Sequence, residues 1–189
     1  LTEAIRNNNL LEIKQLLAQL GKTPFIQNEK PNPFDEAVSL IWYLENVFFN
    51  TAGTIMHYLQ STIFKEDKIN NSVLALGFWP GGDRDGNPFV NAATSLQVAH
   101  ALRGSAIKCY YLDVRKLKRR LTFKGVDVAL TQLEKKLYDN LFIPGRLCDI
   151  SKQEILTSLQ NIRHQLVYDH NSLFVSQVDA LINKIEVFG

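Results

Sequence analysis

A ten-residue stretch, WPGGDRDGNP at residues 79–88, holds the residue types that a loop needs to bind a charged small molecule. Its glycines permit positive φ angles and let a ligand approach the backbone closely. Its arginine offers a planar guanidinium for a carboxylate or a phosphate. Its tryptophan offers a dry wall, beside which charges interact more strongly. The candidate pocket residues are Trp79, Gly81, Gly82, Asp83, Arg84, Asp85 and Asn87.

The two aspartates of this loop leave two interpretations open. They could orient the Arg84 guanidinium around a ligand, or the loop could be a well-made turn whose Asp–Arg and Asp–amide bonds are internal. Known motifs fit poorly, because GGDRDG is neither G-x-G-x-x-G nor a P-loop. A calcium loop starting at Asp83 is excluded, because Pro88 and Thr94 stand where that loop needs glycine and glutamate.

Other candidate residues carry less chemistry. The basic run KLKRR at 116–120 alternates with an apolar helical stripe, so we interpret it as a solvated helix face. The four histidines show no metal-ligand spacing. Cys109 and Cys148 have no neighbouring histidine, so both are expected to be buried apolar side chains. We therefore expect no complete catalytic set and no metal site within the chain.

The composition excludes several classes of protein. The 189 residues include 21 basic and 19 acidic side chains, for a net charge of +2, so neither nucleic acid nor an anionic membrane is an expected partner. No apolar run approaches the ~20 residues of a membrane span. Two cysteines make no disulfide framework, and we expect a cytoplasmic location.

Apolar residues recur at intervals of three and four along most of the chain, which predicts a mainly α fold. Asn32, Asn91 and Ser151 stand where helices should begin, and side chains of these types cap helix N-termini. Gly125 is expected to begin a further helix. The predicted core stripe of the helix after the loop contains Ile107, Tyr110, Val114, Leu117 and Leu121.

One segment departs from the helical pattern. SVLALGFW at 72–79 is short, apolar on both alternations and bounded by turn residues, which predicts a strand buried on both faces. A lone strand leaves its backbone groups unpaired, so its neighbours should lie elsewhere.

Three motifs together resemble phosphoenolpyruvate carboxylase. FWPGGDRDGNPFV is similar to that family's S-W-M-G-G-D-R-D-G-N-P-x-V, with departures at Phe78 and Pro80. KPNPFDEA at 30–37 resembles R-P-[ST]-P-x-D-E-A, and the final VDALINKIEVFG resembles a family helix that ends in F-G. The resemblance runs from about residue 12 to the end.

The resemblance implies that residues 1–189 are a single helical segment of a longer, helix-rich α/β barrel enzyme, which would supply partners for the strand. The family is a carbon–carbon lyase that fixes carbon dioxide, combining phosphoenolpyruvate and bicarbonate into oxaloacetate and phosphate. Its catalytic histidine segment, T-A-H-P-T-E, and its carboxylates for Mg²⁺ or Mn²⁺ are not in this chain. The resemblance also implies a homo-oligomer, an inactive fragment, and a position for Trp79 at the CO2 pocket.

Two expectations remain open beside this one. Many family members carry an arginine for phosphorylated activators where this chain has Gln27, so such activation is in doubt. The alternative function is a stand-alone helical ligand-binding or protein-interaction module that has kept the GGDRDGNP loop.

Overall fold

The computed structural model describes residues 1–24, 31–64, 73–146 and 149–189, and these residues are mainly helical. Gln27, Ser72 and Cys148, which figure in the expectations above, lie outside them. The chain divides into two compact units, Leu1–Pro31 and Asn32–Gly189. Within the described ranges, no helix is both long and apolar enough to cross a membrane.

The first unit contains two helices, α1 (Thr2–Arg6) and α2 (Leu10–Lys22). Asn9 begins α2, because its side-chain oxygen accepts a hydrogen bond of 3.2 Å from the Glu12 amide. The spacing of Ile13, Leu16, Leu17 and Leu20 predicts an apolar stripe on α2, yet these leucines do not form a core, since Leu17 and Leu20 are about half exposed.

The second unit begins with a long helical element that alternates between two geometries. It consists of α3 (Pro33–Tyr43), a π-helical turn (Leu44–Phe48), α4 (Phe49–Tyr58) and a second π-helical segment (Leu59–Phe64). The predicted cap is confirmed: the Asn32 side chain accepts from the Phe34 and Asp35 amides at 2.9 Å, and Pro33 opens the helix.

The first π-helical turn displaces the predicted core stripe of this element by one residue. The three-and-four spacing predicts Phe48 and Ile55 on the buried face, yet both are exposed, and the neighbouring Phe49 and Met56 are buried instead. A π turn closes i→i+5 bonds and so takes up about one residue more than an α turn. The shift explains the exchange at these two positions, while Ala52, also on the predicted stripe, stays buried.

Four further helices build the core of the second unit: α5 (Ala92–Arg120), α6 (Val126–Phe142), α7 (Lys152–Asp169) and α8 (Val175–Phe188). Each predicted stripe residue of α5 named above is buried in one apolar cluster. Asn91 and Ser151 accept hydrogen bonds from Thr94 and Glu154 amides, and Gly125 precedes α6 with φ +90°. These helix starts are confirmed.

The predicted buried strand is wrong over its described part, residues 73–79. That segment forms no strand, and its side chains are not enclosed: Val73 is 51% exposed and Leu76 is 41% exposed. The physical reason is the lack of a partner, because a strand needs a second backbone to pair with its amides and carbonyls, and none lies alongside among the described residues.

Candidate functional site

The 79–88 loop connects residues 73–78 to the start of α5 and contains two tight turns. The Gly82 amide donates to the Trp79 carbonyl oxygen at 2.9 Å, which closes the first turn. The Val90 amide donates to the Asn87 carbonyl oxygen at 3.0 Å, which closes the second. Asn91 follows at once and caps α5, so the loop is fixed to the helix at its C-terminal end.

Gly81 is the buried centre of the loop. Its φ of +77° lies in the left-handed region, and a Cβ at this position would stand 2.8 Å from Cγ2 of Val98. The Ser95 hydroxyl donates to the Gly81 carbonyl oxygen at 2.6 Å, which holds the turn against the first turns of α5. Only glycine meets both the backbone angle and the close packing here.

Two polar side chains of the loop bind backbone amides. Asp83 Oδ1 accepts from the Gly86 amide at 3.2 Å, and Asn87 Oδ1 accepts from the Phe89 amide at 3.0 Å. Of the two roles that the sequence left open for Asp83, the structure shows the amide bond. Within the described part of the chain, Arg84 forms no ion pair with either aspartate.

The remaining candidate side chains point outward. Trp79 is 73% exposed and Phe89 is 68% exposed, so two large apolar side chains stand at the ends of the loop. Arg84 and Asp85 are exposed as well, and Gly82 is exposed beside them. Of the seven predicted residues, four are exposed, two are half-buried and one is buried: Trp79, Gly82, Arg84 and Asp85; Asp83 and Asn87; and Gly81, respectively. The loop therefore presents most of them on its surface and does not enclose them in a pocket.

A cavity of about 300 Å³ lies directly behind the segment that enters the loop. One wall is Leu76–Phe78, the floor comes from α5, and the opposite wall is the end of α8, Val187–Gly189. The Tyr110 hydroxyl donates to the Gly189 carbonyl oxygen at 3.0 Å and so ties that end to α5. The lining is mostly apolar, and Arg103, which enters it, donates to the Ile150 carbonyl oxygen at 2.5 Å.

Two ionisable core side chains of α5, Cys109 and Tyr110, are kept in their neutral forms by burial. Burial, followed by the charges of Glu45 and Asp113, raises the pKa of Cys109 from 9.0 to about 11. Burial also raises the pKa of Tyr110. A thiol in this state is not a nucleophile near neutral pH, which agrees with the sequence prediction that Cys109 is a buried apolar side chain.

The described residues offer no cluster of side chains that fits a metal ion. No group of three or more histidine, cysteine, aspartate or glutamate side chains converges within residues 1–24, 31–64, 73–146 and 149–189.

Two residues that shape the loop were missed by the sequence reasoning. Ser95 and Val98 both come from α5, and they hold Gly81 by a hydrogen bond and by contact. Neither carries a sequence signal, because a serine and a valine in a helix are ordinary. The capping residue Asn91 is the one signal that places α5 against the loop.

Comparisons with known proteins connect this loop to one family. The family model described as phosphoenolpyruvate carboxylase matches residues 1–143. The phosphoenolpyruvate carboxylase of Shewanella halifaxensis (strain HAW-EB4) is 28% identical over 92% of this chain and 22% of its own length. That of Shewanella loihica (strain ATCC BAA-1088 / PV-4) is 28% identical, over 97% of this chain and 24% of its own. That of Histophilus somni (strain 2336) is 31% identical over 92% of this chain and 22% of its own length.

The chain spans less than a quarter of the length of these curated relatives. No solved structure matches it. The family model covers well over half of the chain and includes the whole 79–88 loop. The chain belongs to the phosphoenolpyruvate carboxylase family.

Proposed function

We propose that this chain is a segment of a longer phosphoenolpyruvate carboxylase, a lyase that joins phosphoenolpyruvate and bicarbonate to give oxaloacetate and phosphate in the cytoplasm. The observation that carries the proposal is the 79–88 loop. Its residue types match the family signature, and its backbone is fixed while its side chains are presented outward. Such a loop suits a surface that the rest of a larger enzyme completes.

The exposed tryptophan supports a partner surface. A buried tryptophan covers about 150–250 Å², so enclosing the 73% of Trp79 that is exposed would contribute about 3–5 kcal/mol at about 25 cal/mol per Å². The apolar segment before it supports the same conclusion, because Val73 is 51% exposed and Leu76 is 41% exposed. We propose that the remainder of the polypeptide, an α/β barrel by resemblance to the family, covers this exposed apolar surface.

The chemistry assigned to Trp79 is the exclusion of water. In the proposed reaction, the phosphoryl group moves from phosphoenolpyruvate to bicarbonate, carboxyphosphate releases CO2, and the enolate adds to CO2. An enolate that meets water or loses its CO2 takes up a proton instead and becomes pyruvate. The indole carries no charge for phosphate, but its apolar face can keep the enolate and CO2 together in a dry pocket.

The divalent ion of the proposed enzyme, Mg²⁺ or Mn²⁺, would be held by residues outside those described here. The described side chains provide no ligand cluster, so no step is assigned to the ion in this chain. Arg84 has a different place in the proposal. Because its guanidinium is exposed and makes no ion pair among the described residues, it is available to an anion or to a carboxylate of the surrounding enzyme.

The experiment compares two exposed arginines in the longer polypeptide that carries this segment. Oxaloacetate is followed from phosphoenolpyruvate, bicarbonate and Mg²⁺. We expect Arg84→Ala to lower kcat/KM by about tenfold or more, which corresponds to loss of one charge-assisted contact. Arg146→Ala, an exposed arginine after α6, should stay within about twofold. A longer polypeptide that forms no oxaloacetate contradicts the proposed function, and equal rates for both variants contradict the role of Arg84.

A further inference from the structure

A second concave surface lies between α5 and α8, and none of its lining residues belongs to the 79–88 loop. Its volume is about 460 Å³. Four basic side chains line it: Lys116, Arg119 and Arg120 from α5, and Lys184 from α8. Asp113 is the acidic residue among them. We call this surface the basic pocket. Its basic side chains come from the 116–120 run of α5 and from Lys184, which is distant in the sequence.

The charges of the basic pocket do not cancel. Asp113 accepts hydrogen bonds of 2.8 Å from both Lys116 and Lys184, so a single carboxylate serves two ammonium groups. Arg119 and Arg120 are exposed and make no ion pair within the described ranges. Four cations and one carboxylate leave a formal charge of +3 in the pocket, which exceeds the +2 of the whole chain.

A solvated helix end does not explain this arrangement. The α5 C-terminus carries about −0.5 charge and favours cations in its last turn, which accounts for part of the basic run. It does not account for Lys184, which approaches from α8, nor for the burial of that ammonium beside Asp113, where its side chain is 14% exposed. The mostly buried Lys184 and two exposed guanidinium groups, which make no ion pair with another described residue, therefore line the same surface.

We propose that the basic pocket binds a phosphorylated small molecule. Guanidinium groups match the geometry of phosphate oxygens, and a volume near 460 Å³ falls in the range of small-molecule sites, about 300–1,000 Å³. Apolar contacts from Leu117 and Leu181 in the same lining can receive the uncharged part of the ligand. Single-stranded nucleic acid is disfavoured, because no aromatic ring lines the pocket for base stacking.

The test is calorimetric titration of the chain with glycerol 3-phosphate at low salt, with glycerol and inorganic phosphate in parallel. The perturbing variant is Arg119→Gln/Arg120→Gln, which changes two exposed side chains. The matched control is Lys124→Gln/Lys135→Gln, which removes the same charge from exposed residues outside the pocket. Loss of two charge-assisted contacts should weaken binding by about tenfold or more, while the control should stay within about twofold.

The outcomes separate the ligand classes. Saturable binding of glycerol 3-phosphate that is lost in the arginine variant and kept in the control supports the proposal, and amide NMR shifts should then centre on Ala180 and Lys184. Saturable binding of inorganic phosphate alone would mean that the pocket takes the free ion and would overturn a phosphorylated organic ligand. Absence of binding, equal weakening in both variants, or preference for a single-stranded oligonucleotide would also overturn it.

Discussion

Replacing Gly81 with alanine tests the geometry of the loop most sharply. A non-glycine residue in the left-handed region costs about 1–2 kcal/mol, and Gly81 has φ +77°. The added Cβ would also stand 2.8 Å from Val98 Cγ2 and 3.1 Å from its Cβ, and overpacking of this kind costs about 1–3 kcal/mol. We therefore expect Gly81→Ala to lower the free energy of unfolding by about 2–5 kcal/mol.

A double-mutant cycle separates the two contributions. In a Val98→Ala background the steric part is relieved and the backbone part remains, so Gly81→Ala should cost about 1–3 kcal/mol less there than in the wild type. The assay is urea unfolding followed by circular dichroism at 222 nm. Gly77→Ala is the control, because a Cβ at Gly77 meets nothing within 4 Å and its φ is not in the left-handed region. A cost for Gly81→Ala that is no larger than for Gly77→Ala, or that is equal in both Val98 backgrounds, would refute the reasoning.

Three further outcomes are expected. The chain alone should form no oxaloacetate from phosphoenolpyruvate, bicarbonate and Mg²⁺ above a protein-free blank, because its described residues supply no metal ligands. Asn140→Leu should lower the free energy of unfolding by about 1–3 kcal/mol, since it leaves the Ile150 amide, now bonded to Asn140 Oδ1 at 3.0 Å, buried without an acceptor; urea unfolding measures this, and Asn161→Leu on an exposed site of α7 is its control. Stability should also fall as pH rises from about 9 to about 11, because the unfolded chain loses the Cys109 proton in that window while burial keeps it on the folded chain. Cys109→Ala should show a smaller fall between pH 8 and 10.5, and an identical fall would contradict the assignment.

The parts of the fold that follow from local chemistry were predictable from the sequence. Asn32, Asn91 and Ser151 cap helices as their residue types and positions indicate, because a cap depends on a few neighbouring atoms. The buried stripe of α5 follows equally well, since a regular helix repeats its faces over many turns.

The parts that depend on distant partners were not predictable. The apolar pattern of 72–79 indicates burial, but burial of a strand requires neighbouring strands that the described chain does not provide. The displacement from Phe48 to Phe49 arises from a π turn, for which no residue in Leu44–Phe48 gives a signal. A periodicity count assumes a uniform helix, so it fails after one such turn.

The conformation of the 79–88 loop was also predictable only in part. Its glycines indicated a positive φ, and Gly81 has one, whereas Gly82 and Gly86 do not. The choice between an Asp–Arg pair and an Asp–amide bond could not be made from residue types, because Asp83 can reach either partner. The structure shows the amide bond to Gly86, and this leaves Arg84 for contacts outside the loop.

The most direct measurement of the central claim is the product ratio of Trp79→Ala in the longer polypeptide. Phosphoenolpyruvate and bicarbonate are supplied with Mg²⁺, and pyruvate and oxaloacetate are quantified in the same reaction beside wild type and Trp79→Phe. If Trp79 keeps water from the enolate and CO2, alanine should raise the share of turnovers that end in pyruvate while the KM for phosphoenolpyruvate changes little, and phenylalanine should restore much of the wild-type ratio. An unchanged ratio in Trp79→Ala, with ordinary turnover, would contradict the placement of this loop at the CO2 pocket.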